Sequence, residues 1–507
     1  MRYNILIGGK AGQGPNALAD IVSEGIIARG WYVFNSREYP SVIRGGHNYN
    51  TVSLSEDPIA SNHDGVDILV SLDENTEKLH KSSLNKKAIV LKPVAGKGNM
   101  FFAGALFKIF NLDFNILERK LAKMRNYELN LRDARQGYSS EKREIKIEKI
   151  IQKEPLTFKS GSETVALAAV KSGLDYYYSY PMTPATPAAA EIAQLMMQKT
   201  LNPKHIAIEL ESEIGVINAT IGSSMVGAKA MCGSSGGGFD LMTESLSLAG
   251  QAEVPIVIYL CQRPGPSTGL ATYTGQADLN CARYAGHGEF SRVVLTPGDA
   301  KECINATNEA FYLSEKFRIP TIVLSDKHVA ESKYTFIDNV KIIESPKAIT
   351  EPERFNSYEH DAKGIATEDV KIINKNFERR LEKQKEIEKE CSKLQHFKIH
   401  GNKNSKNVVV GWGSTKGAIL DAITYGELDC KFVQILCVEP FPKKIKEEIE
   451  KASKIIVVEN NATSPLSSLI SEKTGIFIDD KNKILKYDGR AFTSCEVEEE
   501  LGKRGVK

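Results

Sequence analysis

Two stretches bring together residue types from which a ligand site could be built. Tyr176–Ala189, YYYSYPMTPATPAA, reads as a strand end that breaks into a proline-punctuated turn and re-enters a helix. Further on, Glu209-Leu-Glu-Ser-Glu213 sets carboxylates at the mouth of a strand-to-helix junction. Gln262-Arg263-Pro-Gly-Pro-Ser-Thr-Gly269 is a rigid loop with one arginine. In the N-terminal part, Arg44-Gly-Gly-His47-Asn48 joins a bidentate cation to glycines that allow close backbone approach, a set suited to a phosphate or carboxylate ligand. The alternative there is a turn with an exposed arginine.

These residues need α/β scaffolding, and the pattern supplies it. Tyr3–Ile7 is an apolar strand, Gly8-Gly-Lys-Ala-Gly-Gln-Gly14 follows, and Pro15 opens a helix with Leu18, Ile21, Val22 and Ile26 at helical spacing. Strand, glycine loop and helix present backbone N–H groups to an anion, here through Gly12 and Gly14. A tight turn that lets helix and sheet approach explains the same residues equally well. Further strands at Trp31–Phe34, Tyr49–Leu54, Ile68–Leu72 and Ala88–Leu91 make residues 1 to about 150 one α/β domain. Residues 138 to 157 are charged and strand-poor, as in a linker.

A second α/β unit opens at the helix-capping run Ser160-Gly-Ser-Glu163. Its expected strands include His205–Glu209, Ala228–Cys232, Val254–Cys261, Arg292–Thr296 and Pro320–Ser325, with Gly233–Gly238 opening a helix over Phe239–Gly250. Residues 330 to 400 read as an irregular connector ending in a charged helix, Phe377–Leu394, best taken as a solvated face or packing arm. Val408–Trp412, Phe432–Cys437 and Ile455–Glu459 are strands of a third unit.

The 507 residues are too many for one core. A net charge of +2, from 66 basic and 64 acidic side chains, gives no electrostatic support for nucleic-acid binding. The longest apolar runs are strand length, and the N-terminus lacks a signal-peptide pattern, so a cytoplasmic chain is expected. The eight cysteines form no Cys-x-x-Cys pair, which speaks for buried reduced thiols and against an iron–sulfur cluster held by this chain alone.

Taken together, the Gly8–Gly14 loop, Arg44-Gly-Gly-His-Asn48, Tyr180-Pro-Met-Thr-Pro184, Glu211-Ser-Glu213, Ser234–Met242, Arg263–Gly269, Gly275-Gln-Ala-Asp-Leu279 and Val457–Asn461 resemble the 2-oxoacid:ferredoxin oxidoreductases. The resemblance is to their alpha subunit with a gamma domain fused at the N-terminus, and it spans nearly the whole chain. It implies an α/β protein with a gamma-type domain (1–150), a thiamine-diphosphate pyrimidine-type domain (156–335), a connector (336–402) and a transketolase C-terminal-like domain (403–507). It also implies CoA-dependent oxidative decarboxylation of a 2-oxoacid, 2-oxoglutarate first among candidates, to acyl-CoA and carbon dioxide with reduction of ferredoxin. By position, Glu213 resembles the glutamate that hydrogen-bonds the aminopyrimidine ring, with Glu211 the lesser candidate. Thr183 resembles the residue that bonds substrate or cofactor, Arg263 the clamp on the substrate carboxylate, and Tyr180 and Pro181 the cofactor-contacting turn. One departure is Ala185, where the family's usual serine would supply a hydroxyl.

Thiamine enzymes hold the diphosphate through Mg²⁺ on a Gly-Asp-Gly motif with a downstream Asn-Asn. Gly298-Asp299-Ala300 lacks the second glycine, and Asn460-Asn461 has no such motif upstream. The chain is therefore expected to provide the pyrimidine side only. A beta subunit is expected to bring the diphosphate contacts, Mg²⁺ and a [4Fe–4S] cluster. The alternatives are a component of another thiamine-diphosphate enzyme, or a nucleotide- or CoA-binding ligase subunit built on Gly8–Gly14.

Overall fold

Among the described residues, strands of alternating or continuous apolar character assemble into three sheets. The computed structural model describes residues 1–40, 46–198, 205–351 and 353–507. They divide into two compact units: Met1–Lys159 with Ser332–Asn339 and Thr493–Cys495, and Ser160–Glu331 with Val340–Phe492 and Glu496–Lys507. No helix among the described residues is long and apolar enough to cross a membrane.

The first unit holds a mixed sheet ordered Leu84–Leu91, Val66–Ser71, Arg2–Lys10, His47–Ser55, Tyr32–Glu38, Lys333–Ile337, Leu156–Ser160. Ile5, Ile7, Val22, Trp31 and Phe107 are fully buried in its core. The first strand runs past the expected Ile7 to Lys10, because antiparallel pairing with His47–Ser55 continues through Gly8 and Gly9. The glycine turn is thus shortened to Ala11–Gly14 before the helix Pro15–Ile27. Lys333–Ile337, expected as connector, is a strand whose Thr335 hydroxyl donates to the Val33 carbonyl and accepts from its N–H. Five residues are too few for periodicity to reveal, and the pairing partner is remote in sequence.

The second unit contains two sheets. One is ordered Cys437–Glu439, Val293–Leu295, Pro320–Asp326, Ile256–Gln262, Ala230–Ser234, Tyr176–Ser179, Ile206–Glu209, and every neighbouring pair is parallel except the first. Both faces are covered, so strands such as Ile256–Gln262 are buried throughout, as parallel strands require. The other sheet is ordered Phe397–Gly401, Lys431–Ile435, Asn407–Trp412, Lys454–Glu459, Lys483–Leu485. The single strand expected at Phe432–Cys437 is split at Leu436, whose N–H bonds the His396 carbonyl while its own carbonyl accepts from Thr296 N–H. Lys431–Ile435 stays in one sheet and Cys437–Glu439 joins the other. Ser160 caps the helix Gly161–Lys171 in a reciprocal capping box with Glu163. The charged helix Val370–Cys391 is a packing arm: Arg379 and Lys383 pair with Glu253, and Arg380 with Glu359.

Polar contacts lock the two sheets of this unit together. Gln276 donates to the Trp412 carbonyl at 2.9 Å and accepts from Asn460 N–H at 2.9 Å, and Asn461 Nδ2 donates to the Gln276 carbonyl. Lys416 pairs with Asp299 and Glu302, and Lys398 with Glu302 at 2.7 Å. Burial works to raise the Glu302 carboxyl, but the two ammonium groups outweigh it and hold it below its ordinary value of 4.5. That depressed carboxyl contributes stability above pH 4.5 which is lost as pH falls below it. The melting temperature should drop on acidification through this range, and Glu302→Gln should start lower and fall less steeply. Gln276→Ala orphans buried backbone groups and should cost about 1–3 kcal/mol for each, read by denaturant unfolding.

Candidate active site

The parallel sheet of the second unit determines where a site can form. Its strand Tyr176–Ser179 is followed by Ile206–Glu209 on one side, and the chain then returns to place Ala230–Ser234 on the other. The connections leaving the carboxyl ends of these neighbours diverge, which opens a crevice of the kind in which α/β folds bind ligands. The turn 180–185 leaves the first strand, Glu213 opens the helix after the second, and Gly236–Gln251 begins after the third. Arg263 follows the next strand, Ile256–Gln262.

Side chains from these four connections meet. Glu213 is only 3 % exposed, yet its Oε1 has no hydrogen-bond partner among the described residues. It lies against the first turn of the helix Gly236–Gln251: a Cβ on Gly238 would fall 2.6 Å from Glu213 Oε1 and still nearer Ser234 Oγ. A glycine is therefore required for the carboxylate to sit where it does. Ser234 Oγ reaches the Met182 thioether at 3.9 Å. Arg263 Nη1 donates to the Thr183 carbonyl at 2.7 Å, while Arg263 Nε is buried without a partner among the described residues. Tyr180 and Thr183 are half-buried and Pro181 is exposed, so this turn presents a surface to an incoming ligand. Ala185 is 3 % exposed and packs with Ala188, Ala189 and Ile192, so a hydroxyl here would meet the core. Glu211, the lesser candidate, is exposed.

A further carboxylate from the loop after Ile256–Gln262 lies beside the glycine turn. Asp278 is half-buried, with Oδ2 unpartnered among the described residues, and a Cβ on Gly236 would fall 2.5 Å from that oxygen. Its N–H donates to Gln262 Oε1 at 2.9 Å. Its place in Gly275-Gln-Ala-Asp-Leu279 was the available signal, but only the folded loop brings it beside the glycine turn.

The remaining candidates lie in the first unit. Gly12 has φ +90° with open space around it, and Gly14 packs on Asn99, whose Nδ2 donates to the Gly14 carbonyl at 3.1 Å. His47 pairs by Nε2 with His80 Nε2 at 2.8 Å, and Asn48 sits opposite Gly9 in the ladder. Burial and the adjacent His47 push the His80 imidazole down to about 4. Arg44 lies outside the described residues. Asp299, nearest to a metal-binding motif, instead caps the helix Ala300–Phe317 and pairs with Lys416. Asn460 and Asn461 hold Gln276.

Residues 167–395 match the family described as pyruvate flavodoxin/ferredoxin oxidoreductase, thiamine diphosphate-binding. Residues 4–97 match the pyruvate ferredoxin/flavodoxin oxidoreductase family. The chain is 29 % identical to the 2-oxoacid:ferredoxin oxidoreductase subunit alpha of Sulfolobus sp., over 99 % of this chain and 96 % of that one. It is 31 % identical to the 2-oxoglutarate synthase subunit KorA of Methanocaldococcus jannaschii, over 60 % of this chain and 88 % of that one. The chain belongs to the 2-oxoacid:ferredoxin oxidoreductases, as an alpha subunit. The fold of this alpha subunit is that of the 2-oxoglutarate:ferredoxin oxidoreductase of Magnetococcus marinus, solved with 2-oxoglutarate, coenzyme A and succinyl-CoA bound. The two align at a TM-score of 0.87 and 23 % identity over 99 % of each chain. The α/β class expected from the sequence holds in all three sheets.

Gly238→Ala tests the cradle in the alpha subunit. Its methyl group should displace the Glu213 carboxylate and lower the turnover of the assembled enzyme by at least about tenfold, with the melting temperature shifting by only a few degrees.

Proposed function

We propose that this alpha subunit provides the pyrimidine half of a thiamine-diphosphate site that decarboxylates 2-oxoglutarate oxidatively to succinyl-CoA, with ferredoxin as electron acceptor. The observation that carries the reading is the buried Glu213 Oε1, without a donor among the described residues and beside a glycine whose missing Cβ leaves it room. A carboxylate oxygen in that state suits a ring nitrogen of an aminopyrimidine. When bound, thiamine diphosphate supplies the electron sink that lets the bond between C1 and C2 of a 2-oxoacid break. Glu213 holds or moves the proton at the ring nitrogen. Arg263 takes the substrate carboxylate through its unused N–H groups, and its bond to the Thr183 carbonyl fixes the guanidinium plane. Thr183 closes the pocket from the turn. Tyr180 and Pro181 would form the edge that meets the cofactor.

The other half of the site belongs to a beta subunit with the diphosphate contacts, Mg²⁺ and a [4Fe–4S] cluster. Ile214, Leu241 and Leu270 support this: each is about half exposed, and each lies on an element that frames the site. In the first unit, the turn Ala11–Gly14 and His47–Asn48 are assigned to the phosphates of coenzyme A, with Arg44 alongside in sequence. The assembly is placed in the cytoplasm. The preference for 2-oxoglutarate draws on the ligands of the Magnetococcus enzyme and the name of the methanogen relative.

Co-expression with the beta subunit should yield viologen reduction that requires both 2-oxoglutarate and coenzyme A. Glu213→Gln should lower it by about 10²–10⁴-fold. Full activity in that variant overturns the assignment of Glu213, and equal turnover of pyruvate overturns the substrate preference.

A further inference from the structure

The crevice that holds Glu213 lies toward one edge of the seven-stranded sheet, and a separate cavity lies at the other, beside the edge strand Cys437–Glu439. Its volume is about 500 Å³, within the range of small-ligand pockets. Three segments enclose it: the last turns of the helix Val370–Cys391, the chain from Ser392 to Phe397, and the loop Pro440–Lys444 that leaves the edge strand. Leu394, Phe397, Pro440 and Phe441 give it an apolar wall.

The backbone on both sides of this wall is largely spent. At the helix end the Glu388, Glu390 and Cys391 carbonyls accept from the N–H groups of Ser392, Lys393 and Leu394, and the Lys389 carbonyl accepts from Ser392 Oγ at 2.7 Å. Opposite, Pro440 and Pro442 have no N–H, the Cys437 thiol donates to the Pro440 carbonyl at 3.4 Å, and the Ile445 N–H donates to the Pro442 carbonyl. A ligand body on this wall has little to bond and must itself be apolar. Charge stands at the rim, where Lys385, Lys389, Lys443 and Lys444 face one carboxylate, Glu388. Glu388 pairs with Lys443 at 2.9 Å, and Lys385 with Glu382 at 2.9 Å. Lys389 and Lys444 are exposed and make no ion pair among the described residues. His396 also lines the cavity: it is 3 % exposed, its Nε2 bonds Glu309 at 3.1 Å, and its Nδ1 is buried without a partner among the described residues. A wall closed for stability alone would pair that nitrogen.

We propose that this cavity is a binding site for an aliphatic carboxylate, its hydrocarbon chain against Leu394, Phe397 and Phe441 and its head group drawing charge from Lys389 and Lys444. The wall sets the apolar body, the two unpaired ammonium groups set the sign of the head, and the volume sets the size of a small molecule. Ammonium groups are compact point charges, so a single carboxylate satisfies them without bidentate geometry. The rim is exposed and screened, so the head contributes only on the order of fivefold to affinity and the buried chain contributes the greater part. The occupant would touch the helix arm, the first strand of one sheet and the edge loop of the other, and by binding the folded state it raises the melting temperature. This site shares no residue with the one built on Glu213 and Arg263, so neither reading depends on the other.

The test is calorimetric titration of dodecanoate, below its micellar concentration, into the assembled enzyme, with dodecanol and dodecylammonium as controls. Dodecanoate should bind once per alpha subunit and raise the melting temperature. Dodecanol should bind about fivefold more weakly, and dodecylammonium should not bind. Decanoate, two methylenes shorter, should bind roughly tenfold more weakly than dodecanoate. Lys389→Glu combined with Lys444→Glu should weaken dodecanoate by at least about tenfold, while turnover and the melting temperature of the unliganded enzyme keep their wild-type values. Absence of dodecanoate binding overturns the proposal, as does equal binding of dodecanol or full dodecanoate binding in the double variant. If dodecanoate fails and an acidic peptide bearing Phe and Leu binds at the lysine rim instead, the occupant is a protein segment and the proposal is overturned as well.

Discussion

A carboxylate withdrawn from water with one oxygen unbonded is a standing cost, of the order of 1–3 kcal/mol or more for a charged group. Glu213 is in that condition, and much of the second unit is arranged so that it can remain there. Gly238 omits the side chain that would evict it, Ser234 ends its strand directly below, and the helix Glu213–Met225 begins on the residue itself. A fold selected only for stability would fill this gap or supply a donor.

The loop that bears Arg263 and Asp278 is long, glycine-rich and one-armed in the parallel sheet, so it needs a second anchor. Gln276 provides it by bonding backbone groups of the neighbouring sheet, at Trp412 and Asn460. Glu459 and Asp326 reinforce the same seam. Glu459 takes bonds from Trp412 Nε1, Asn461 Nδ2, Ser464 Oγ and the Leu466 N–H, and Asp326 accepts from Thr274, Val329 and Ser414. Burial pushes both carboxyls up, and these donors pull back. The pair Asn460 and Asn461 is thereby a structural clasp for the loop that bears Gln276.

Several features were legible in the residues themselves. Ser160 and Glu163 announced a capping box because the motif is local, and it is present. The helix after Gly233–Gly238 and the strand ending at Glu209 were likewise readable, since glycine, proline and apolar period act over a few residues. The strand Lys333–Ile337, the split at Leu436 and the extension of the first strand through Gly9 were not readable. Each depends on hydrogen bonding to a segment far away in sequence, and no local pattern records such a partner.

By itself, then, the sequence determined the α/β class, the proline turn 180–185, the carboxylates of 209–213 and the lone arginine of the 263 loop. It could do so because residue type and short-range spacing set turns, caps and helix starts. Only the tertiary structure decided that Glu213 is buried with an oxygen to spare, that Arg263 bonds the Thr183 carbonyl, and that Asp278 joins them. Those facts follow from the order of strands in the sheet. Neighbours at the switch point bring their carboxyl-end loops into one crevice, and strand order is a long-range property of the packed chain.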